Sequence, residues 1–92
     1  MANTITLPES LTIQTIESAY NDMASATSDS GDHIVFDAKA LENIDTSGLQ
    51  SLLVIIQTAQ SNQKSIAWKN ANETLLNAAK KTGLSKALLL SD

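Results

Sequence analysis

Two hydrophobic periods, one short and one helical, take turns along this chain and mark out its elements. Thr4-Ile5-Thr6-Leu7 alternates like a short strand, and Pro8, which has no N–H for a ladder, stops it. From Thr12 or Gln14 the spacing becomes helical. Ile13, Ile16, Ala19 or Tyr20, Met23 and Ala24 share a face, with Glu17 and Asp22 toward water. Asn21, Ser25 and Thr27 weaken this helix toward its end, and the stretch from Ala26 to Asp32 is a polar turn cluster. Ile34-Val35-Phe36 is a continuous apolar run, the pattern of a central strand covered on both faces, and Asp37 ends it.

Ala40 to Ile44 reads as a connector. The helix from Ser47 to about Gln60 sets Leu49, Leu52, Leu53 and Ile56 on one face. Val54 and Ile55 widen that stripe, so this helix is expected to be the most buried. Ser65-Ile66-Ala67-Trp68 is a third strand. A third helix starts either with Asn70 and Glu73 at capping-box spacing or with Asn72 as its cap. Leu75, Leu76 and Ala79 form its inner face, and Lys80 and Lys81 favour its C-terminal dipole. Gly83 stops it, and Leu84 can pack back upon it. Ala87 to Leu90 reads as a last apolar strand, with a short terminal helix as the alternative. Alternating strands and helices predict one α/β domain over residues 1–92. Its sheet would be mixed but mainly parallel, with about four strands joined by crossover helices.

Size and composition narrow the possibilities. Ninety-two residues can bury one compact core but not two. With 3% aromatic residues, that core must be aliphatic. There is no cysteine, which excludes disulfides and thiolate metal sites. The start of the chain lacks a signal-peptide pattern, and no apolar run nears the ~20 residues that span a bilayer. A cytoplasmic protein without direct membrane insertion is expected. Net charge is −4, and all six cations are Lys. Nucleic-acid binding is not expected without Arg or a basic surface. The charge is also uneven, with residues 1–46 at −7 and residues 47–92 at +3. An acidic flank of this kind can steer a basic protein partner.

The candidate chemistry gathers at Asp45-Thr46-Ser47-Gly48, where a polar turn runs into the apolar helix. Free N–H groups and the positive end of the helix dipole converge there, so added negative charge is favoured. A hydroxyl so placed can be a cap, a phosphorylation switch or a nucleophile. As a cap, Asp45 or Thr46 accepts N–H bonds while Gly48 permits close packing. A nucleophile needs a base, and His33 stands at the opposite end of its strand from Asp37. The cluster Asp29-Ser30-Gly31-Asp32-His33 lacks metal-ligand spacing and reads as a loop. The glycines at 31, 48 and 83 form no phosphate loop, and Trp68 reads as a core or rim residue. Neither enzyme activity nor a cofactor is expected.

Ile34-Val35-Phe36-Asp37, followed after a short connector by Ile44-Asp45-Thr46-Ser47-Gly48-Leu49 and Leu52-Leu53, resembles the signature of STAS domains (sulfate transporter and anti-sigma factor antagonist). Leu7-Pro8-Glu9-Ser10-Leu11-Thr12 is similar to that family's approach to its first helix, and Lys80-Lys81-Thr82-Gly83-Leu84 to the end of its third. The resemblance implies a regulatory protein-interaction module of the anti-sigma factor antagonist type. Its partners would be a histidine-kinase-like Ser/Thr kinase or an anti-sigma factor, with a phosphatase to reset it. The phosphorylated hydroxyl would be Thr46, with Ser47 as its neighbouring alternative. Asp37, Asp45, Thr46, Ser47, Gly48 and Leu49 would meet the partner. A second implied role is an accessory subunit that binds the ATPase of a membrane lipid ABC transporter. The resemblance also implies a hairpin of two strands before the first helix, where the pattern here shows one strand.

Overall fold

The computed structural model describes residues 3–29 and 31–90. Its elements, in chain order, are β1 (Asn3–Thr6), β2 (Ser10–Leu11), α1 (Ile16–Asp29), β3 (His33–Asp37), β4 (Asn43–Ile44), α2 (Thr46–Ser61), β5 (Ser65–Lys69) and α3 (Glu73–Thr82). Strands β1, β3 and β5 form a parallel sheet in that order. Strands β2 and β4 form a separate parallel pair, Ser10 beside Asn43 and Leu11 beside Ile44. The α/β class and the parallel sheet agree with the periodicity.

Three details of the strands differ from expectation. First, a second strand does precede α1, but it is two residues long and pairs away from β1. Periodicity has no purchase on two residues. Second, β3 is not covered on both faces. Ile34 and Phe36 are buried, whereas His33 is exposed and Val35 half-buried. In β5, Ser65, Ala67 and Lys69 likewise face outward. Third, Ala87 to Leu90 is neither strand nor helix but a set of hydrogen-bonded turns. Leu88 N–H donates to the Leu84 carbonyl (2.9 Å) and Leu90 N–H to that of Ser85 (2.8 Å). Leu88 is fully buried, and its carbonyl accepts from Trp68 Nε1 at 2.8 Å. That ties the segment under β5 instead of beside it, so the large sheet has three strands.

The core lies between the sheet and the helices. Leu49, Leu52, Ile55, Ile56 and Ala59 of α2 are buried, which makes it the most buried helix, as its apolar stripe predicts. Val54 departs from that stripe and is 47% exposed. Ile34 and Phe36 meet the helices from β3, and Phe36 packs against the Trp68 ring at 5.4 Å. Helix α1 runs past its weak Ser and Thr positions to Asp29. The Thr27 hydroxyl donates to the Met23 carbonyl (2.8 Å), so this buried polar group is satisfied. Lys64 Nζ then donates to the carbonyl of Thr27 (2.8 Å), at the helix end where cations are favoured.

Helix α3 is fixed at both ends. Asn72 is the cap, accepting from Leu75 N–H at 3.1 Å. At the other end Gly83 adopts φ 73°, a left-handed turn that favours glycine. Leu84 N–H then donates back to the Ala79 carbonyl (2.9 Å), and Leu84 packs on the core. The Asn72 amide has a second task, donating to the carbonyls of Ala38 (3.1 Å) and Leu41 (2.8 Å). One side chain thus caps α3 and holds the loop after β3. Asn72→Asp keeps the capping oxygen but loses both donated bonds. Although Asp is as good a cap as Asn, we expect a loss of about 2 kcal/mol in urea unfolding. Unchanged stability would show that the loop does not depend on this amide.

Candidate functional site

The β2–β4 pair builds the site. Glu9 accepts through its carbonyl from Glu42 N–H (2.8 Å) and Asn43 N–H (3.1 Å), and Leu11 accepts from Asp45 N–H (3.2 Å). These bonds lay the segment before α1 along the segment before α2. Asp45 stands where the two meet, in extended conformation with ψ −173°. Its carbonyl accepts the first helical bond, from Leu49 N–H at 3.0 Å. Its Oδ1 accepts from Gly48 N–H at 3.0 Å, so Asp45 is the N-cap of α2. Its Oδ2 accepts from Ile13 N–H at 2.9 Å, across 32 residues of sequence. A single carboxylate therefore caps one helix and anchors the turn that leads into another.

This division of labour decides the role of the neighbouring hydroxyls. The sequence left the cap open between Asp45 and Thr46, and the structure assigns it to Asp45. Thr46 is exposed at the first position of α2, and among the described residues its hydroxyl makes no hydrogen bond. Ser47 is half-buried. Beside Thr46 a shallow groove opens between the first turn of α2 and α3, lined by Asp45, Leu49, Ala78 and Lys81 among others. An added charge on Thr46 would lie at a helix N-terminus beside that groove.

The remaining expected site residues take other places. Gly48 and Leu49 are buried, so they shape the site from below. Gly48 lies directly against Leu11; a Cβ there would overlap the Leu11 carbonyl oxygen and approach its carbonyl carbon to 2.9 Å. Asp37 ends β3 and is half-buried. Its Oδ1 accepts from Lys39 N–H (2.9 Å) and from the Asn70 amide (3.1 Å), and it does not line the Thr46 groove. His33 is exposed at the start of β3, with Asp37 at the far end. Asp29 and Asp32 flank a loop whose Ser30 lies outside the described residues. The periodicity put Ile13 on the apolar face of the first helix; it instead lies in the turn before α1, which begins at Ile16, and is 68% exposed with its N–H held by Asp45. No local signal marks a contact that spans 32 residues.

Both aspartates are held below the usual carboxylate range. For Asp45 the leading cause is the Ile13 N–H, then that of Gly48, against a smaller opposing effect of desolvation. For Asp37 it is the Lys39 N–H, then the Asn70 amide, with smaller help from the charges of Lys69 and Lys39.

A family description fits this geometry: the chain matches the STAS_2 model, described as "Mlab, STAS domain", over residues 2–91. The protein belongs to the STAS domain family. STAS domains are protein-interaction modules. Among solved structures, a sulfate transporter family protein from Wolinella succinogenes shares the fold, with a TM-score of 0.77. The alignment covers 95% of this chain and 70% of that one at 10% identity, so the likeness concerns fold alone. No curated protein matches the sequence significantly. Two strands, β1 and β2, precede the first helix here, but they pair with β3 and β4 and form no hairpin with each other.

Two measurements probe this STAS site. Gly→Ala inside a helix normally stabilises, but Gly48→Ala should destabilise by about 2 kcal/mol or more, because its methyl meets backbone. A neutral or stabilising result in urea unfolding would show that the Leu11 contact relaxes freely. The second is pH dependence. A carboxyl whose native pKa is depressed adds stability above its unfolded pKa, and that contribution is lost as pH falls through the native value. The urea midpoint should therefore hold from neutral pH to about 4 and fall below it. In Asp45→Asn that acid decline should be shallower; a decline parallel to the parent's would remove Asp45 from the explanation.

Proposed function

We propose that this STAS domain is a cytoplasmic switch of the anti-sigma factor antagonist type, in which phosphorylation of Thr46 controls docking of a protein partner. The reading is carried by one observation: the Thr46 hydroxyl is exposed and unbonded while Asp45 does the capping. Phosphate on Thr46 would therefore break no hydrogen bond that the fold uses. A phosphate brings about −1.5 to −2 charges and three acceptor oxygens. The helix N-terminus favours that charge and Asp45 opposes it, so the fold tolerates it. A partner surface shaped for a neutral hydroxyl beside Asp45 would not. Ser47 is the secondary acceptor, less accessible than Thr46. The chain itself catalyses nothing in this scheme. A histidine-kinase-like Ser/Thr kinase supplies the ATP chemistry, and a phosphatase reverses it.

The test is incubation with ATP and each histidine-kinase-like Ser/Thr kinase of the same cell, read by intact mass and peptide mapping. One phosphate on Thr46 is expected, with labelling lost in Thr46→Ala. Thr46→Glu should weaken partner binding at least tenfold, about 1.4 kcal/mol, without changing the fold. Labelling of Thr46→Ala at the parental rate on a residue other than Ser47 would reject the site.

The family description favours one second reading. As an accessory subunit, the domain would seat Thr46 against the ATPase of a membrane lipid ABC transporter, with no phosphate involved. Recovery of that ATPase with unmodified Thr46 would select it over the switch.

A further inference from the structure

Helices α1 and α2 pack side by side, and a trough runs along their outer seam. Its upper half is lined by Ile16, Glu17 and Tyr20 from α1 and by Gln50 and Val54 from α2. Its lower half deepens into a cavity of about 270 Å³ between Tyr20, Ala24, Ile55 and Thr58. The upper end opens near the turn that carries Ile13, which Asp45 holds at the start of α2. Two of the large apolar side chains exposed among the described residues, Ile13 (68%) and Val54 (47%), belong to these segments.

Charge sets this face apart. Helix α2 carries no charged residue from Thr46 to Ser61, although Thr46, Gln50, Val54, Gln57 and Ser61 are exposed along one stripe of it. Exposed helix faces normally carry mixed charge, and its depletion marks the centres of interfaces. Helix α1 carries Glu17, Asp22 and Asp29 and no cation. The two helices therefore present a mainly apolar seam with the Glu17 carboxylate on its upper part and no cation until Lys64, which lines the far end and holds the last carbonyls of α1. Such a charge pattern disfavours an anionic lipid surface and attracts a cationic protein segment.

We propose that this trough is a docking groove for a basic amphipathic helix of the protein partner. Helix α2 spans 16 residues, about 24 Å, long enough to hold four turns of a second helix. Apolar residues at i, i+3 or i+4, and i+7 of that helix would lie on Ile16, Tyr20 and Val54, and its flanking Lys or Arg would face Glu17. The proposal rests on the reading of this domain as a partner-binding module but not on phosphorylation of Thr46.

The test titrates the isotope-labelled full chain with a synthetic helical peptide of about 18 residues, Leu on one face and Lys on its flanks, against a matched peptide with Glu for Lys. The amides of Ile16, Glu17, Tyr20, Gln50 and Val54 should shift, and the Lys peptide should bind at least about tenfold more tightly than the Glu peptide. Glu17→Lys should remove most of that preference, and Val54→Glu should weaken both peptides. Both side chains are exposed, and unchanged amide shifts elsewhere would confirm the fold. Shifts centred on α3 or on the open sheet face, equal affinity for both peptides, or no shift at all would overturn the proposal. So would self-association of the parent chain in sedimentation that Val54→Glu abolishes, because a second copy would then own the trough. A failure to phosphorylate Thr46 leaves this titration untouched, so the two readings fail separately.

Discussion

The carboxylate of Asp45 is the constraint on which the rest of the site depends. One oxygen satisfies a free N–H at the start of α2, and the other reaches Ile13 before α1. The first contact is local to the helix start, but the second forms only because the β2–β4 ladder brings residues 9–12 beside residues 42–45. The close approach of Gly48 to Leu11 then draws α2 onto the same segment. Two residues of ladder, one carboxylate and one missing side chain thus fix the mutual position of the two helix starts.

The functional consequence is a separation of roles between adjacent residues. A helix N-terminus needs an acceptor for stability, and a regulated hydroxyl must be free to change. Were one residue to do both, modification would remove the cap. Here Asp45 takes the structural duty and Thr46 stands exposed beside it. The same carboxylate holds the backbone of the turn that carries the exposed Ile13, so Asp45 joins an apolar surface residue to the start of the helix that bears a modifiable alcohol. The uncharged outer stripe of α2 runs on from that helix start.

Much of this was legible in the sequence. The helical spacing of Leu49, Leu52 and Ile56 fixed the buried helix, and Asp45-Thr46-Ser47-Gly48 fixed where it begins. Gly83 marked the end of α3 by local chemistry, while its start was open between an Asn70–Glu73 capping box and an Asn72 cap until the fold assigned it to Asn72. What could not be read was set by long-range contacts. Val54 fits the apolar stripe by spacing yet faces outward, because among the described residues no element covers that side of α2. Val35 sits in a continuous apolar run, but only one face of β3 is packed. Ala87 to Leu90 has strand-like composition, yet Leu88 is claimed by the core and its carbonyl by Trp68. The choice between Asp45 and Thr46 as cap also required the fold, since both are acceptable there in isolation.

The central claim is that Asp45 holds both helix starts and leaves the Thr46 hydroxyl without a structural duty. Amide hydrogen exchange of Ile13 and Gly48, compared in Asp45→Ala and Thr46→Ala, addresses it directly. Protection of both amides should fall in Asp45→Ala and stay at the parental level in Thr46→Ala. Loss of Gly48 protection in Thr46→Ala, with Asp45→Ala unchanged, would mean that the hydroxyl is the cap and would contradict this account.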